Sequence, residues 1–235
     1  MEKEERLRYS RNLMLDGIGE EGQKKLMASS VLVVGCGALG SLSSLYLAGS
    51  GVGRIGVLDF DTVDISNLQR QISFSEKNVG QRKTEVLAEK LQHLNKLIQV
   101  ETFDTFLSKT NAREIIKNFD LVLEGSDNPE TKYLVCDICL ELNKPCVVAG
   151  VSGWTAQVTT FIPKHTTYRD IFPNPHSSGG FTPCSLGGVL GPLPGIAASV
   201  QACEAVKVLT GTGRPLVDRM LVIDALNMDF RTLSF

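Results

Sequence analysis

The sequence predicts an α/β protein built on a doubly wound sheet, mostly parallel, with antiparallel strands at its C-terminal end. Three observations lead there. Short β-branched runs alternate with helix-length stretches from residue 30 to residue 151, a rhythm that implies right-handed βαβ units with helices on both faces. The first run is followed at once by Gly35-Cys36-Gly37-Ala38-Leu39-Gly40, a pattern that turns a strand into a helix around a phosphate-bearing ligand. After Gly153 the rhythm changes, and the next run, 157–162, follows closely enough to pair with its neighbour. The arrangement is Rossmann-like.

Residues 4–27 carry helical spacing and predict two short helices around Asp16-Gly17. Residues 30–34 and 54–59 are β-branched or apolar runs and predict the first two strands, with a helix over 38–50 between them. Val86, Leu87, Leu91 and Leu94 share one face of a helix predicted over 81–95. A strand over 98–103, a helix over 111–117 and a strand over 120–124 follow. Asn128 suits an N-cap and Pro129 a first helical position, so a helix starts there. A fifth strand spans 145–151. A long loop, at about 163–194, is rich in Pro, Gly and Ser; loops of that length inside a compact domain are usually functional or disordered. A helix over 196–209 and a hairpin of 219–224 with 228–233 close the chain. No repeat or linker interrupts it, so one domain over 1–235 is expected.

Composition narrows the function. With 235 residues, 43% hydrophobic and 21% charged, the chain is an ordinary globular one, and a net charge of −2 gives no case for nucleic acid or an anionic membrane. The N-terminus is charged and lacks a secretory apolar run. Residues 31–53 carry no charge, but six glycines and four serines make them too polar for a membrane span. The cytoplasm is the expected compartment. The six cysteines (36, 136, 139, 146, 184 and 203) are scattered, unlike a secreted disulfide framework, and several sit in apolar runs.

Gly35, Gly37 and Gly40 let backbone approach a nucleotide. Asp59 ends the next strand at the position of a carboxylate that accepts ribose hydroxyls; a tight turn with a strand-end Asp is the plainer alternative. No Lys-Ser/Thr follows a glycine loop, which excludes a P-loop NTPase. Asn67, Gln69, Arg70 and Gln71 then gather amide and guanidinium donors, and Arg70 can fork two phosphate oxygens. Lys83 opposes the dipole of the helix it opens, which a bound polyphosphate would relieve; a solvated helix face is the alternative. Asp127 lies just past the fourth strand, at the sheet edge where ligands sit, and could hold Mg2+ through one carboxylate; an ordinary loop Asp fits as well. His93, His165 and His176 fall on a helix and in loops and read as bystanders.

GCGALG, LDFDTVDISNLQRQ, VGQRKTE, GSDNPETK and CSLGGVLGPLPGIAASVQACEAVKVL together resemble the MoeB/ThiF/HesA family, bacterial relatives of ubiquitin-activating enzymes, over nearly the whole chain. The resemblance is closest to the ThiF type. It implies a nucleotidyltransferase that uses ATP and Mg2+ to adenylate the Gly-Gly carboxylate of a small ubiquitin-fold sulfur carrier. A ThiS-type carrier, for thiazole and thiamine synthesis, comes first, with a MoaD-type carrier for molybdopterin as the alternative. It further implies Asp59 on ribose, Asn67, Arg70, Gln71 and Lys83 on phosphates, and Asp127 on the metal. Arg11, in the Arg8-Tyr9-Ser10-Arg11-Asn12 segment, would reach the other subunit of a homodimer. Cys184 occupies a position whose thiol can attack the acyl adenylate or join the carrier, with an inert loop cysteine as the alternative. The two CxxC pairs that hold zinc in many members are absent, so no zinc is predicted. A sulfurtransferase partner is possible on this reading. Two other classes compete: an NAD-dependent oxidoreductase, from the glycine pattern alone, and a non-catalytic module that binds a partner's tail.

Overall fold

The computed structural model describes residues 1–173 and 188–235. Three short helices come first, α1 (Lys3–Arg8), α2 (Ser10–Leu13) and α3 (Gly19–Ala28). The alternating part follows: β1 (Ser30–Val34), α4 (Gly40–Ser50), β2 (Arg54–Asp59), α5 (Lys83–Leu94), β3 (Gln99–Asp104), α6 (Ala112–Ile116), β4 (Leu121–Glu124), α7 (Pro129–Glu141) and β5 (Cys146–Ser152). The remainder is β6 (Thr155–Phe161), α8 (Tyr168–Ile171), α9 (Leu193–Thr210), β7 (Arg219–Asp224) and β8 (Asp229–Ser234). Two 3₁₀ turns, Ile65–Asn67 and Glu76–Asn78, lie in the β2–α5 connection.

All eight strands join one sheet in the order β3-β2-β1-β4-β5-β6-β7-β8. β3 to β5 in that order run parallel, and β6, β7 and β8 each pair antiparallel. The chain leaves β1 toward β2 on one side and later returns to β4 on the other. A crevice therefore opens beyond the C-terminal ends of β1 and β4, the place where open α/β sheets bind ligands.

Side-chain alternation fixes which face each helix covers. Val31 and Val33 of β1 join the core under α4, α5 and α9, with Leu47, Leu87, Leu91 and Ala197. Leu32 and Val34 join the opposite core under α6 and α7, with Ile116, Phe119, Val135 and Cys146. Phe119 is 1% exposed, and a Cβ at Gly56 of β2 would lie 2.5 Å from its ring, so the smallest residue there makes room for the largest. The uncharged stretch 31–53 is divided among β1, the glycine turn and α4, and among the described residues no helix is long and apolar enough to cross a membrane.

Differences from the expected elements have local causes. The N-terminal stretch forms three helices rather than two, because the backbone breaks at Tyr9 (φ −96°, ψ 14°). Tyr9 is buried there, and its hydroxyl accepts a hydrogen bond from Asn95 at 2.8 Å. Helix α9 begins at Leu193 rather than 196; Pro194 sits in its first turn, where a missing N–H costs no helical bond. Asn128 caps α7 as expected, accepting from the Glu130 and Thr131 N–H groups at 2.8 and 3.4 Å. Cys36, Cys136, Cys139 and Cys146 are buried free thiols, whereas Cys203 is exposed. Of the expected long loop, residues 168–171 form the short α8, and residues 174–187, with His176 and Cys184, lie outside the described residues.

Replacing Phe119 with Ala empties the core beneath β1 and β2 and should cost about 3–5 kcal/mol of stability. Urea unfolding measures it; a loss below about 1 kcal/mol would mean that the site collapses around the cavity.

Candidate functional site

A cavity of about 260 Å³ fills the crevice beyond the ends of β1, β2, β4 and β5. One end is the glycine turn. Gly35 has φ +88°, and a Cβ there would stand 3.1 Å from the Ser126 nitrogen, so the β1–α4 turn touches the β4–α7 turn. Gly40 packs α4 onto β1 so closely that a Cβ would fall 1.8 Å from the Gly35 carbonyl oxygen. At Gly37, by contrast, a Cβ would meet only Gln71 Nε2, at 3.6 Å. Two of the glycines are thus demanded by the protein, and Gly37 leaves its space to the cavity.

Asp59, at the end of β2, is 8% exposed. Its Oδ2 accepts the Cys36 N–H at 2.7 Å and its Oδ1 the Asp61 N–H at 2.9 Å. One lone pair on each oxygen remains, which suits a pair of vicinal hydroxyls. Cys36, between the glycines, is fully buried, and burial, with the Asp59 charge added, pushes its thiol well above the usual range. It is a packing residue and not a nucleophile.

Lys83 opens α5 and is only 5% exposed, which overturns the solvated-face reading. Its ammonium pairs with Asp61 at 2.9 Å, so the helix-dipole conflict is met within the protein by a carboxylate. Gln71 is 5% exposed, and its Oε1 has no hydrogen-bond partner among the described residues. A buried polar atom left so costs stability unless a ligand or water meets it. Arg70 lines the cavity half-buried, with one Nη on the Ser66 carbonyl at 3.1 Å. Asp127 lines it from the β4–α7 turn with an exposed carboxylate that no described residue engages.

The expected residues Gly35, Gly37, Asp59, Arg70, Gln71, Lys83 and Asp127 therefore meet in one cavity. Four others, Gly40, Asn67, Gln69 and Arg11, do not line it. Gly40 stands behind the turn as its packing support. Asn67 closes the first 3₁₀ turn, its Oδ1 accepting the Asp64 N–H at 3.3 Å, so it shapes the loop that carries Arg70. Arg11 is exposed on α2, with Met14 Sδ as its side-chain contact at 3.8 Å.

Several lining residues escaped the sequence reading. Lys132 faces the cavity from α7 and pairs with Glu124, which is wholly buried. Its signal was its place four residues after Asn128, the spacing of one helical turn. Phe60 and Phe106 pack edge-to-face at 5.3 Å on the rim. Beyond Lys132 the cavity continues past Gly150, Val151, Gln157 and Thr159 to an aromatic wall of Tyr133, Tyr168 and Phe172. Burial raises the Tyr168 phenol and keeps it neutral.

Such a turn, acid and cation gather at the switch point of a doubly wound α/β sheet, the crevice in which that class of fold holds its ligands. The chain belongs to the ThiF family, whose profile matches residues 9–235. The sulfur carrier protein adenylyltransferase of Thermus thermophilus is 42% identical over 240 residues, covering 99% of this chain and 88% of that one. Adenylyltransferase and sulfurtransferase MOCS3-1 of Zea mays is 44% identical over 228 residues, 97% of this chain and 49% of its own length, so the chain spans about half of that relative. Among solved structures, E. coli MccB with ATP superposes with a TM-score of 0.83 at 26% identity, covering 97% of this chain and 70% of that one.

Gly40→Ala should destabilise the fold by about 1–3 kcal/mol, because the new methyl must displace backbone. Gly37→Ala should stay within about 0.5 kcal/mol of the parent, since its methyl meets only the Gln71 side chain at ordinary van der Waals distance. Thermal or urea melts of the two separate them; equal losses would contradict the assignment of their roles.

Proposed function

We propose that the protein is an adenylyltransferase that uses ATP to activate the C-terminal Gly-Gly carboxylate of a small ubiquitin-fold sulfur carrier, of ThiS or MoaD type. One observation carries the reading. A single cavity joins the glycine turn, Arg70, Gln71, Lys83 and Asp127 to a second half lined from β5 and β6, with Gly150 among its residues. On this reading a triphosphate would occupy the first half and an extended, side-chain-free tail the second. The named relatives support the same activity.

The chemistry suits the residues. A terminal carboxylate is already ionised at neutral pH, so attack on the α-phosphorus needs no general base. An acyl adenylate forms and pyrophosphate leaves. The barrier is the approach of one anion to another and the departure of a third. Arg70 and Lys83, held in place before the substrate arrives, lower both through preorganised positive charge. Asp59 would orient the ribose, and Gln71 would offer its amide to the phosphates. Asp127 suits Mg2+, which binds proteins through one or two carboxylates and completes its octahedron with phosphate oxygens and water; bound there, the ion would add charge where pyrophosphate departs. Arg11 lies outside its own cavity, and in our reading it serves the second subunit of a homodimer. Cys184 would take the activated acyl group as a thioester, releasing AMP, before sulfur transfer by a partner. The buried free thiols go with a reducing, cytoplasmic setting.

Carrier-dependent exchange of pyrophosphate into ATP tests this. Asp127→Ala should abolish exchange, and Lys83→Met should slow it about 10²–10³-fold. Cys184→Ala should leave exchange intact and block only transfer. Binding of NADH with no exchange would overturn the proposal in favour of a dehydrogenase.

A further inference from the structure

We propose that Glu124 and Lys132 are positioning residues that set the height of Asp127 above the nucleotide turn. The inference rests on the reading of the cavity as a Mg2+·ATP site.

Glu124 is the last residue of β4 and is 0% exposed, yet it is a carboxylate at the edge of a hydrophobic core. An ion pair in such a place is rarely worth its desolvation as stabilisation alone. Its oxygens divide the work. Oε1 accepts both the N–H, at 2.9 Å, and the hydroxyl of Ser126. Oε2 accepts from the Lys132 ammonium. Lys132 also donates to the Ala149 carbonyl of β5 at 2.8 Å. The Ser126 hydroxyl reaches on to the Asn128 carbonyl at 3.3 Å.

The segment 124–128 is thus folded back on one carboxylate, with Asp127 at its outer corner. The Glu124 backbone is pinned as well, its carbonyl accepting from the buried Gln201 of α9 at 2.9 Å. No other described residue engages the Asp127 side chain, so the ring of bonds beneath it sets the backbone position from which its carboxylate reaches. A carboxylate that is to ligate a metal has little tolerance for displacement.

Glutamine at 124 has the same shape but a single acceptor oxygen, so it can serve Ser126 or Lys132 and not both. ATP affinity measured by titration calorimetry, with Mg2+ and again in EDTA, reads the consequence without catalysis. Glu124→Gln should lower the Mg2+-dependent gain in affinity by about 10–100-fold while leaving the EDTA value near the parent's. Glu124→Gln combined with Lys132→Met removes the buried charge and should lose no more than the single change, because both act through one pair. An unchanged Mg2+ response, or an equal loss with and without the ion, overturns the positioning role. A parent chain that binds ATP under neither condition overturns the nucleotide reading and this inference with it.

Discussion

The contact between two turns governs this molecule. The backbone at Gly35 and the backbone at Gly125 and Ser126 approach within about one atom's width of each other, with no side chain between. β1 and β4 are adjacent and parallel, so both turns leave the sheet at the same edge. Gly40 then packs α4 against the Gly35 carbonyl. Those contacts bring the glycine turn, the acid of β2 and Asp127 around one volume. A bulkier residue at Gly35 or Gly40 would part the turns and divide the cavity.

Charge follows from that geometry. The two lysines beside the cavity are neutralised in pairs, Lys83 with Asp61 and Lys132 with Glu124, while the buried Asp59 is met by two backbone N–H groups. Asp127 is left at the opening without a partner, and Arg70 uses one nitrogen on a carbonyl. Paired charges cost the protein little reorganisation, and unpaired ones remain free for a ligand. Lys83 is the interesting intermediate. Asp61 is half exposed, and an incoming triphosphate competes with it for a lysine that water scarcely reaches.

Local pattern made much of this legible. β1 and β2 coincide with their predicted bounds because both are short apolar runs ended by glycine or by Asp59. The caps at Asn128 and Pro129 follow from chemistry confined to three residues. Asp59 and Lys83 were readable because they lie at a strand end and a helix start, Asp127 because it sits just past β4, and Arg70 and Gln71 because they fall in a short run of amide and guanidinium donors between β2 and α5. What escaped was set by long-range packing. The break at Tyr9 depends on Asn95, far along the chain. Glu124 reads as the last residue of a strand, and only the meeting of α7 with β5 makes it the anchor of a turn. The aromatic wall of Tyr133, Tyr168 and Phe172 joins separate elements that no periodicity connects.

A crystal structure with a non-hydrolysable ATP analogue addresses the central claim most directly. The phosphates should lie between the Gly37 backbone and the Arg70, Gln71 and Lys83 side chains, with the ribose hydroxyls on Asp59. An analogue bound elsewhere, or a cavity still empty while Lys83 keeps its contact with Asp61 alone, would contradict it.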